Sequence, residues 1–162
     1  MRLRVHPGGI VVLTVPYSSS RHAIGEFLMR QAHWLRHAVA RMMPYKTLPV
    51  SGRRAYLKHK EEARVFVTER VEYWNREYRM TYRRIAIKNT RRTWGSCSRK
   101  GNLNFSYALL FLPRELADYV VVHELCHLCQ PNHSRAFWTE VSKAIPDFAH
   151  QRKELRKYLP RG

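Results

Sequence analysis

The chain has 162 residues, of which 44% are hydrophobic and 12% aromatic, so it is a globular chain long enough for one domain with a sizeable core. No apolar run approaches the roughly 20 residues of a membrane-spanning helix, and three cysteines do not make a disulfide framework, so we expect a reduced, cytoplasmic protein with no membrane span. The 30 basic and 12 acidic residues give a net charge of +18, which suits either a polyanionic partner such as DNA or RNA or a solvated basic surface.

The N-terminal part of the chain predicts a β-hairpin followed by a long helix. Arg2–His6 and Val11–Val15 flank Pro7-Gly8-Gly9, a sequence typical of a tight turn between two strands. Ser20 is a suitable N-cap for a helix that runs to about Met42, because apolar residues recur at helical spacing along this segment.

The middle of the chain predicts a second long helix and two strands. Apolar residues follow one stripe from about Ala55 to Tyr78, and basic and acidic residues alternate on what we expect to be a solvated face. Tyr82–Lys88 and Asn102–Tyr107 alternate apolar and polar side chains, which indicates strands of a small sheet. The segment Arg92–Cys97 lies between these two strands and reads Arg-Thr-Trp-Gly-Ser-Cys.

An almost unbroken apolar run contains the sequence His-Glu-x-x-His. We predict a buried helix here, with Pro113 in its first turn and its end just before Pro131. His123 and His127 are four residues apart, so their imidazoles project from one helix face and can bind one metal ion. Glu124 lies beside them, where its carboxylate can act on a metal-bound water.

A catalytic zinc ion has three protein ligands and one position that stays open for water. His133 is the best candidate for the third ligand, because the turn at Pro131 can fold it back towards the two helix histidines. Glu140 is the alternative ligand, although we expect it on a charged helix surface. Cys126 and Cys129 form a Cys-x-x-Cys pair, but no second pair completes a zinc ribbon, and we expect both to be small buried residues.

Several segments in combination resemble the YgjP-like metallopeptidase family and, more distantly, SprT-type and related zincin proteases. The matching segments are Arg92–Cys97, Leu103–Phe105, Pro113, Asp118–Leu128 and Asn132–Trp138. The resemblance implies zinc bound by His123, His127 and His133, with Glu124 as the general base. Cys126 departs from the family pattern, where we expect alanine, a residue of similar size.

These elements predict a single α+β domain over residues 1–162, and the resemblance implies a zincin-like fold for it. In this fold a small, antiparallel-type sheet packs on helices that include the His-Glu-x-x-His helix. Residues 1–50 form a hairpin-and-helix subregion, and residues 51–162 form the zinc-binding catalytic core.

The leading hypothesis is a zinc metallopeptidase that hydrolyses peptide bonds in a protein or peptide substrate. Zinc would lower the pKa of its water from about 15.7 to about 7, and the general base would pass the water's proton to the leaving amine. Arg91, Arg92 and the backbone near Gly95 are candidate donors to the oxyanion. The sheet edge around Asn102–Phe105, with Asn104 in it, is a candidate for binding a peptide by strand addition.

Two functions of other classes also fit the sequence. A metal-dependent nucleoside triphosphate pyrophosphatase or phosphohydrolase would use the same water, although no Gly-rich phosphate loop or carboxylate cluster supports it. A nucleic-acid-associated protein with a purely structural zinc would account for the basic charge without hydrolysis. In a hybrid of these functions, the basic surface recruits DNA or RNA and the zinc site cleaves proteins bound there.

Overall fold

A computed structural model describes residues 1–48, 52–90 and 92–158, and the chain divides into two compact units. The first unit is Met1–Thr47 and the second is Leu48–Gly162, so their boundary lies close to the predicted limit of the N-terminal subregion. That the whole chain acts as one domain stays a prediction. In the described part of the chain, every helix is too short or too polar to cross a lipid bilayer.

The first unit contains the predicted hairpin and helix. Its elements are β1 (Arg2–Val5), β2 (Val11–Thr14) and α1 (Arg21–Met42). The strands are antiparallel, and Gly8 and Gly9 in the turn between them have φ angles of 77° and 73°, in the left-handed region that glycine tolerates best. The Ser20 hydroxyl accepts a hydrogen bond from the Ala23 amide at 3.1 Å, which confirms the predicted N-cap.

The second unit combines helices with a small sheet, as expected for an α+β fold. Its helices are α2 (Gly52–Tyr78), α3 (Arg114–Cys126), α4 (Arg135–Ala144) and α5 (Phe148–Leu155). Its strands are β3 (Arg84–Lys88), β4 (Gly95–Cys97) and β5 (Asn102–Ser106).

The sheet of the second unit is mixed rather than antiparallel throughout. Its strand order is β3-β5-β4, with β5 parallel to β3 and antiparallel to β4. The short turn between β4 and β5 predicts that these two strands pair with each other. The pairing of β3 with β5 joins segments that lie further apart in the chain, and the spacing of side chains does not reveal it. Because β5 is the central strand, the prediction of a peptide-binding edge at residues 102–105 is wrong. The free edge, among the described strands, belongs to β4.

Helix α3 is the centre of the second unit's core. Ten of its residues are buried, which confirms the predicted buried helix. Val121 and Leu125 pack in one cluster with Val67 of α2 and with Leu103 and Phe105 of β5, all of them 0–1% exposed. The core therefore packs α3 against both α2 and the sheet.

Helix α3 ends earlier than predicted. Its last residue is Cys126, and the amide of Gln130 closes the following turn by donating to the Cys126 carbonyl at 2.9 Å. His127 caps the helix with φ −67° and ψ −14°, so it keeps a helical conformation. The one-turn spacing between His123 and His127 therefore survives the shorter helix.

A buried ion pair connects α2 to α3. Arg70 donates through Nε to Asp118 Oδ1 at 2.6 Å and through Nη2 to Oδ2 at 2.9 Å, and the two side chains are only 8% and 12% exposed. Arg70 is therefore buried, whereas the sequence predicts that the charged residues of this helix lie on a solvated face. Its charge is compensated in the interior, where an unpaired guanidinium would be strongly destabilising.

We expect Asp118→Asn to lower the free energy of unfolding by about 3–5 kcal/mol, because it leaves the buried charge of Arg70 without its counter-charge. Denaturant unfolding of metal-free protein would measure this loss without a contribution from bound ligand. Glu61→Gln is the matched control, since Glu61 contacts Arg64 on the exposed face of α2 and its loss should change stability little. Equal effects of the two substitutions would contradict the role assigned to the buried pair.

Candidate metal centre

Three imidazole rings converge where α3 ends. His123 comes from the last turn of α3, His127 caps it, and His133 lies just before α4. Each offers one ring nitrogen within 4.8 Å of the other two, and the three ring centroids are 4.7–4.9 Å apart. The structure therefore brings together the three residues that the sequence predicts as ligands.

The orientation of His127 leaves one of its nitrogens free to bind a cation. Its Nδ1 lies 3.0 Å from the backbone carbonyl of Gln130. A carbonyl can only accept a hydrogen bond, so Nδ1 carries a proton, and in the neutral form of the ring the lone pair is on Nε2. Metal-binding histidines are commonly oriented in this way by an outer hydrogen bond.

The surroundings of His123 keep its ring neutral. Burial, together with the charges of His127, His133 and Arg152, lowers the pKa of His123 to about 3. Its Nδ1 atom is buried without a hydrogen-bond partner among the described residues. Its Nε2 faces Nε2 of His133 at 2.9 Å, and between two neutral rings at most one of these atoms can donate.

Hydrogen bonds alone therefore do not satisfy this cluster. Three converging imidazole nitrogens are a donor set that suits a divalent metal ion such as zinc, which accepts their lone pairs together. The residues present thus fit the predicted metal.

Two aromatic residues of α4 support the imidazoles. Phe137 is fully buried and stacks on His127, with 4.5 Å between centroids and 28° between ring planes. Trp138 stacks on His133 at 5.6 Å and 24°. The Ser134 hydroxyl accepts from the Phe137 amide at 3.3 Å, so this aromatic pair lies on a capped first turn. Nothing in the spacing of side chains along the sequence reveals these contacts.

The carboxyl group of Glu124 is packed against the backbone of β4. Glu124 is 6% exposed, and burial raises its pKa to about 8. A Cβ atom placed on Gly95 would lie 2.7 Å from both Cγ and Oε1 of Glu124, which is closer than non-bonded atoms approach. Only glycine at position 95 lets the strand and the carboxyl group occupy these positions.

Two cavities flank Glu124, and both are lined by Gly95, His123 and Glu124. The arginine cavity, of about 420 Å³, is further lined by Arg92, Thr93, Trp94, Tyr119, Val120, Arg152, Leu155, Arg156 and Tyr158. The histidine cavity, of about 480 Å³, is further lined by Ser96, Cys97, Ser98, Arg99, His127, Pro131, Asn132 and His133. Together they form a cleft along β4 with Glu124 at its middle.

The free edge of β4 presents backbone groups to a partner strand. The Ser106 amide donates to the Trp94 carbonyl at 2.8 Å, and the Ser98 amide donates to the Asn102 carbonyl at 3.0 Å. In an antiparallel ladder these bonds alternate along the strand, so the amide and carbonyl groups of the odd-numbered β4 residues point away from β5. Such an edge can pair with an extended peptide.

The other predicted site residues differ in position. Arg92 and Gly95 line the arginine cavity. Asn104 lies on the central strand, where its amide donates to the Ser96 hydroxyl at 3.2 Å, and it lines neither cavity of the cleft. Arg91 lies outside the described residues.

Glu140, the alternative ligand, lies outside the histidine cluster. Its carboxylate accepts hydrogen bonds from Lys143 at 2.8 Å and 2.9 Å, as expected for a helix surface.

Cys126 is buried as predicted, but Cys129 is exposed. That expectation fails because α3 ends at Cys126, so that Cys129 lies in the following turn.

Comparison with known proteins identifies a metallopeptidase family. The model of the YgjP-like family, described as "YgjP-like, metallopeptidase domain", matches residues 51–158. Among solved structures, the chain is similar to the metallopeptidase zymogen of Pyrococcus abyssi abylysin, with 25% sequence identity and a TM-score of 0.51. That similarity covers 55% of this chain and 90% of the other, and it supports the predicted zincin-like fold. No protein of curated function matches the chain.

If the three imidazoles bind one metal ion, His133→Ala should weaken zinc binding by more than about 100-fold. Loss of a residue that only hydrogen-bonds to a metal ligand typically weakens metal binding by about 10- to 100-fold, and loss of a ligand itself should weaken it further. Competition with a chromogenic chelator would measure the affinity. His150→Ala is the control, since His150 is exposed and lies outside the cluster. Unchanged affinity in His133→Ala would exclude His133 as a ligand.

Proposed function

Because the chain belongs to the YgjP-like family, we propose that it is a zinc-dependent metallopeptidase in which His123, His127 and His133 bind the metal and Glu124 is the general base. The observation that carries this proposal is the convergence of three imidazoles beside a buried carboxyl group, in a cleft along a free strand edge. The family model is a metallopeptidase domain, and the similar solved structure is that of a metallopeptidase zymogen.

The protein supplies the binding geometry for this chemistry. A zinc ion bound there would acidify a water ligand and polarise the scissile carbonyl. The Gln130 carbonyl orients His127, and Phe137 and Trp138 hold the rings of His127 and His133 by stacking. Three protein ligands leave one coordination position open, which is the arrangement of catalytic rather than structural zinc sites.

Glu124 is placed to move a proton across the cleft. Its carboxylate would take a proton from the attacking water and deliver it to the amine that leaves. Burial by itself favours the protonated acid, and a nearby cation favours the carboxylate, so the general base depends on an occupied metal site.

An extended substrate would pair with the edge of β4. The backbone groups of Gly95 and Cys97 face away from β5, so they can donate to and accept from a peptide backbone whatever its side chains are. Arg92 and the Gly95 amide remain the candidate donors to the oxyanion, since both line the cavity beside Glu124.

Glu124→Gln should lower kcat by at least about 100-fold while zinc affinity is retained, because the amide cannot accept the water's proton. The measurement is cleavage of an unfolded model protein by zinc-loaded enzyme, with and without DNA or RNA, beside a metal-content assay. Full activity in the variant would exclude the mechanism.

A nucleotide hydrolase is the second candidate function, and the guanidinium groups of the arginine cavity favour it. It is tested by giving nucleoside triphosphates to the same zinc-loaded enzyme and to its Glu124→Gln variant. Release of phosphate or pyrophosphate from nucleoside triphosphates that depends on Glu124, without protein cleavage, would assign that activity instead.

Gly95→Ala should lower kcat/KM by about 10- to 100-fold, because the added methyl group displaces the Glu124 carboxyl group from its position. Zinc affinity should change little, since Gly95 is not a ligand. Gly25→Ala is the matched control, because nothing lies within 4 Å of a Cβ at that position. Wild-type kcat/KM in Gly95→Ala would show that the close contact does not position Glu124.

A further inference from the structure

The arginine cavity combines aromatic walls with three positive charges. Trp94, Tyr119 and Tyr158 contribute aromatic rings to it, and Val120 and Leu155 add aliphatic surface. The guanidinium groups belong to Arg92, Arg152 and Arg156. Glu124, which we propose as the general base, is the sole acidic residue among the described residues that line the cavity.

The three arginines have no carboxylate partner among the described residues. The ion pairs among the described residues involve other side chains, such as the pair of Glu154 at the end of α5 with Lys157 in the turn that follows. Arg152 instead lies 5.0 Å from the centroid of the Trp138 ring, a cation–π contact that holds it without neutralising it. The counter-charge of this cavity is therefore absent from the described protein.

Two of these arginines lie close to the proposed metal ligands. Arg152 and Arg156 are four residues apart, so they project from one side of the C-terminal end of α5, which packs on α3. The positive charge of Arg152 is among the causes that lower the pKa of His123, after burial and the neighbouring histidines. Both arginines also counter the effect of burial on the pKa of Tyr119.

The charge is unequal on the two sides of Glu124. Among the described residues, the histidine cavity is lined by one arginine, Arg99, and by no tyrosine or tryptophan, whereas the arginine cavity is lined by three arginines and by three residues that are tyrosine or tryptophan. A substrate that crosses the cleft therefore meets a concentrated positive charge on one side of its scissile bond only.

Resting on the proposed peptidase function, we infer that the arginine cavity binds a substrate carboxylate on one side of the scissile bond, together with an apolar side chain. Arginine pairs with carboxylates in a bidentate geometry, which fixes orientation as well as charge. A volume of about 420 Å³ is in the range of small-ligand sites, so it has room for more than the carboxylate itself. The carboxylate comes either from the C-terminus of the substrate or from an acidic side chain.

Binding to the zinc-loaded Glu124→Gln protein tests this inference without turnover. Calorimetry would compare a short apolar peptide that has a free C-terminal carboxylate with its C-terminal amide. A second pair, amidated in both members, would compare a glutamate with a glutamine within the peptide. We expect one acidic member to bind at least about 10-fold more tightly than its neutral partner, and that pair identifies the source of the carboxylate.

Arg152→Gln and Arg156→Gln, each added to Glu124→Gln, should remove this preference, and Arg156→Lys should restore only part of it because lysine lacks the bidentate geometry. Lys153→Gln is the matched control, since it removes one positive charge from the same helix outside the cavity. Circular dichroism would establish that all variants are folded.

The outcomes separate this inference from the proposed function. A carboxylate preference that depends on Arg152 and Arg156, in a protein that cleaves no peptide, would retain the binding site and reject the peptidase. Cleavage and binding of acidic and neutral peptides with equal efficiency would overturn the inference and retain the peptidase. An equal loss in Lys153→Gln, or tighter binding of a nucleoside triphosphate than of every acidic peptide, would also overturn it.

Discussion

The contact between the backbone of β4 and the side chain of Glu124 determines where the parts of the cleft lie. With 2.7 Å from a Cβ placed on Gly95 to the carboxyl oxygen, the strand lies as close to the Glu124 side chain as a glycine allows. Helix α3 is held in place because it is buried against α2 and the sheet, and Asp118 anchors it to Arg70. The free edge of β4, the carboxyl group and the imidazoles are consequently neighbours in one cleft.

Burial favours the neutral form of both His123 and Glu124. The neutral form suits a metal ligand but not a general base. Burial keeps His123 neutral, which is the form that binds a metal, but it also favours the protonated form of Glu124, which cannot act as a base. Under the proposed function, a cation bound to the imidazoles would resolve this conflict, because it would accept their lone pairs and stabilise the neighbouring carboxylate. Metal binding and base function would then be coupled through one desolvated turn of helix.

Local features of this site could be predicted from the sequence, and the non-local ones could not. The four-residue spacing of His123 and His127 is a property of one helix, and the turn that brings back His133 is also short. The contact of Arg70 with Asp118 joins residues 48 positions apart, and periodicity shows which face of a helix is polar but not which residue it meets. Strand β4 has only three residues, too few for alternation to reveal it or its place at the sheet edge.

Net charge does not show where unpaired positive charge lies. Residues 51–100 hold 15 basic and 5 acidic residues; Arg64 and Arg70 in this segment have carboxylate partners, whereas Arg92, which lines the arginine cavity, has none among the described residues. Residues 101–162 are nearly balanced, with 8 basic and 6 acidic residues, yet this part supplies Arg152 and Arg156, which have none among the described residues. A guanidinium without a partner beside a desolvated site attracts an anion more strongly than several paired ones on a solvated surface. If the arginine cavity binds a substrate carboxylate as we infer, the charge that bears on the chemistry is the small, unpaired group in the cavity and not the large total of +18.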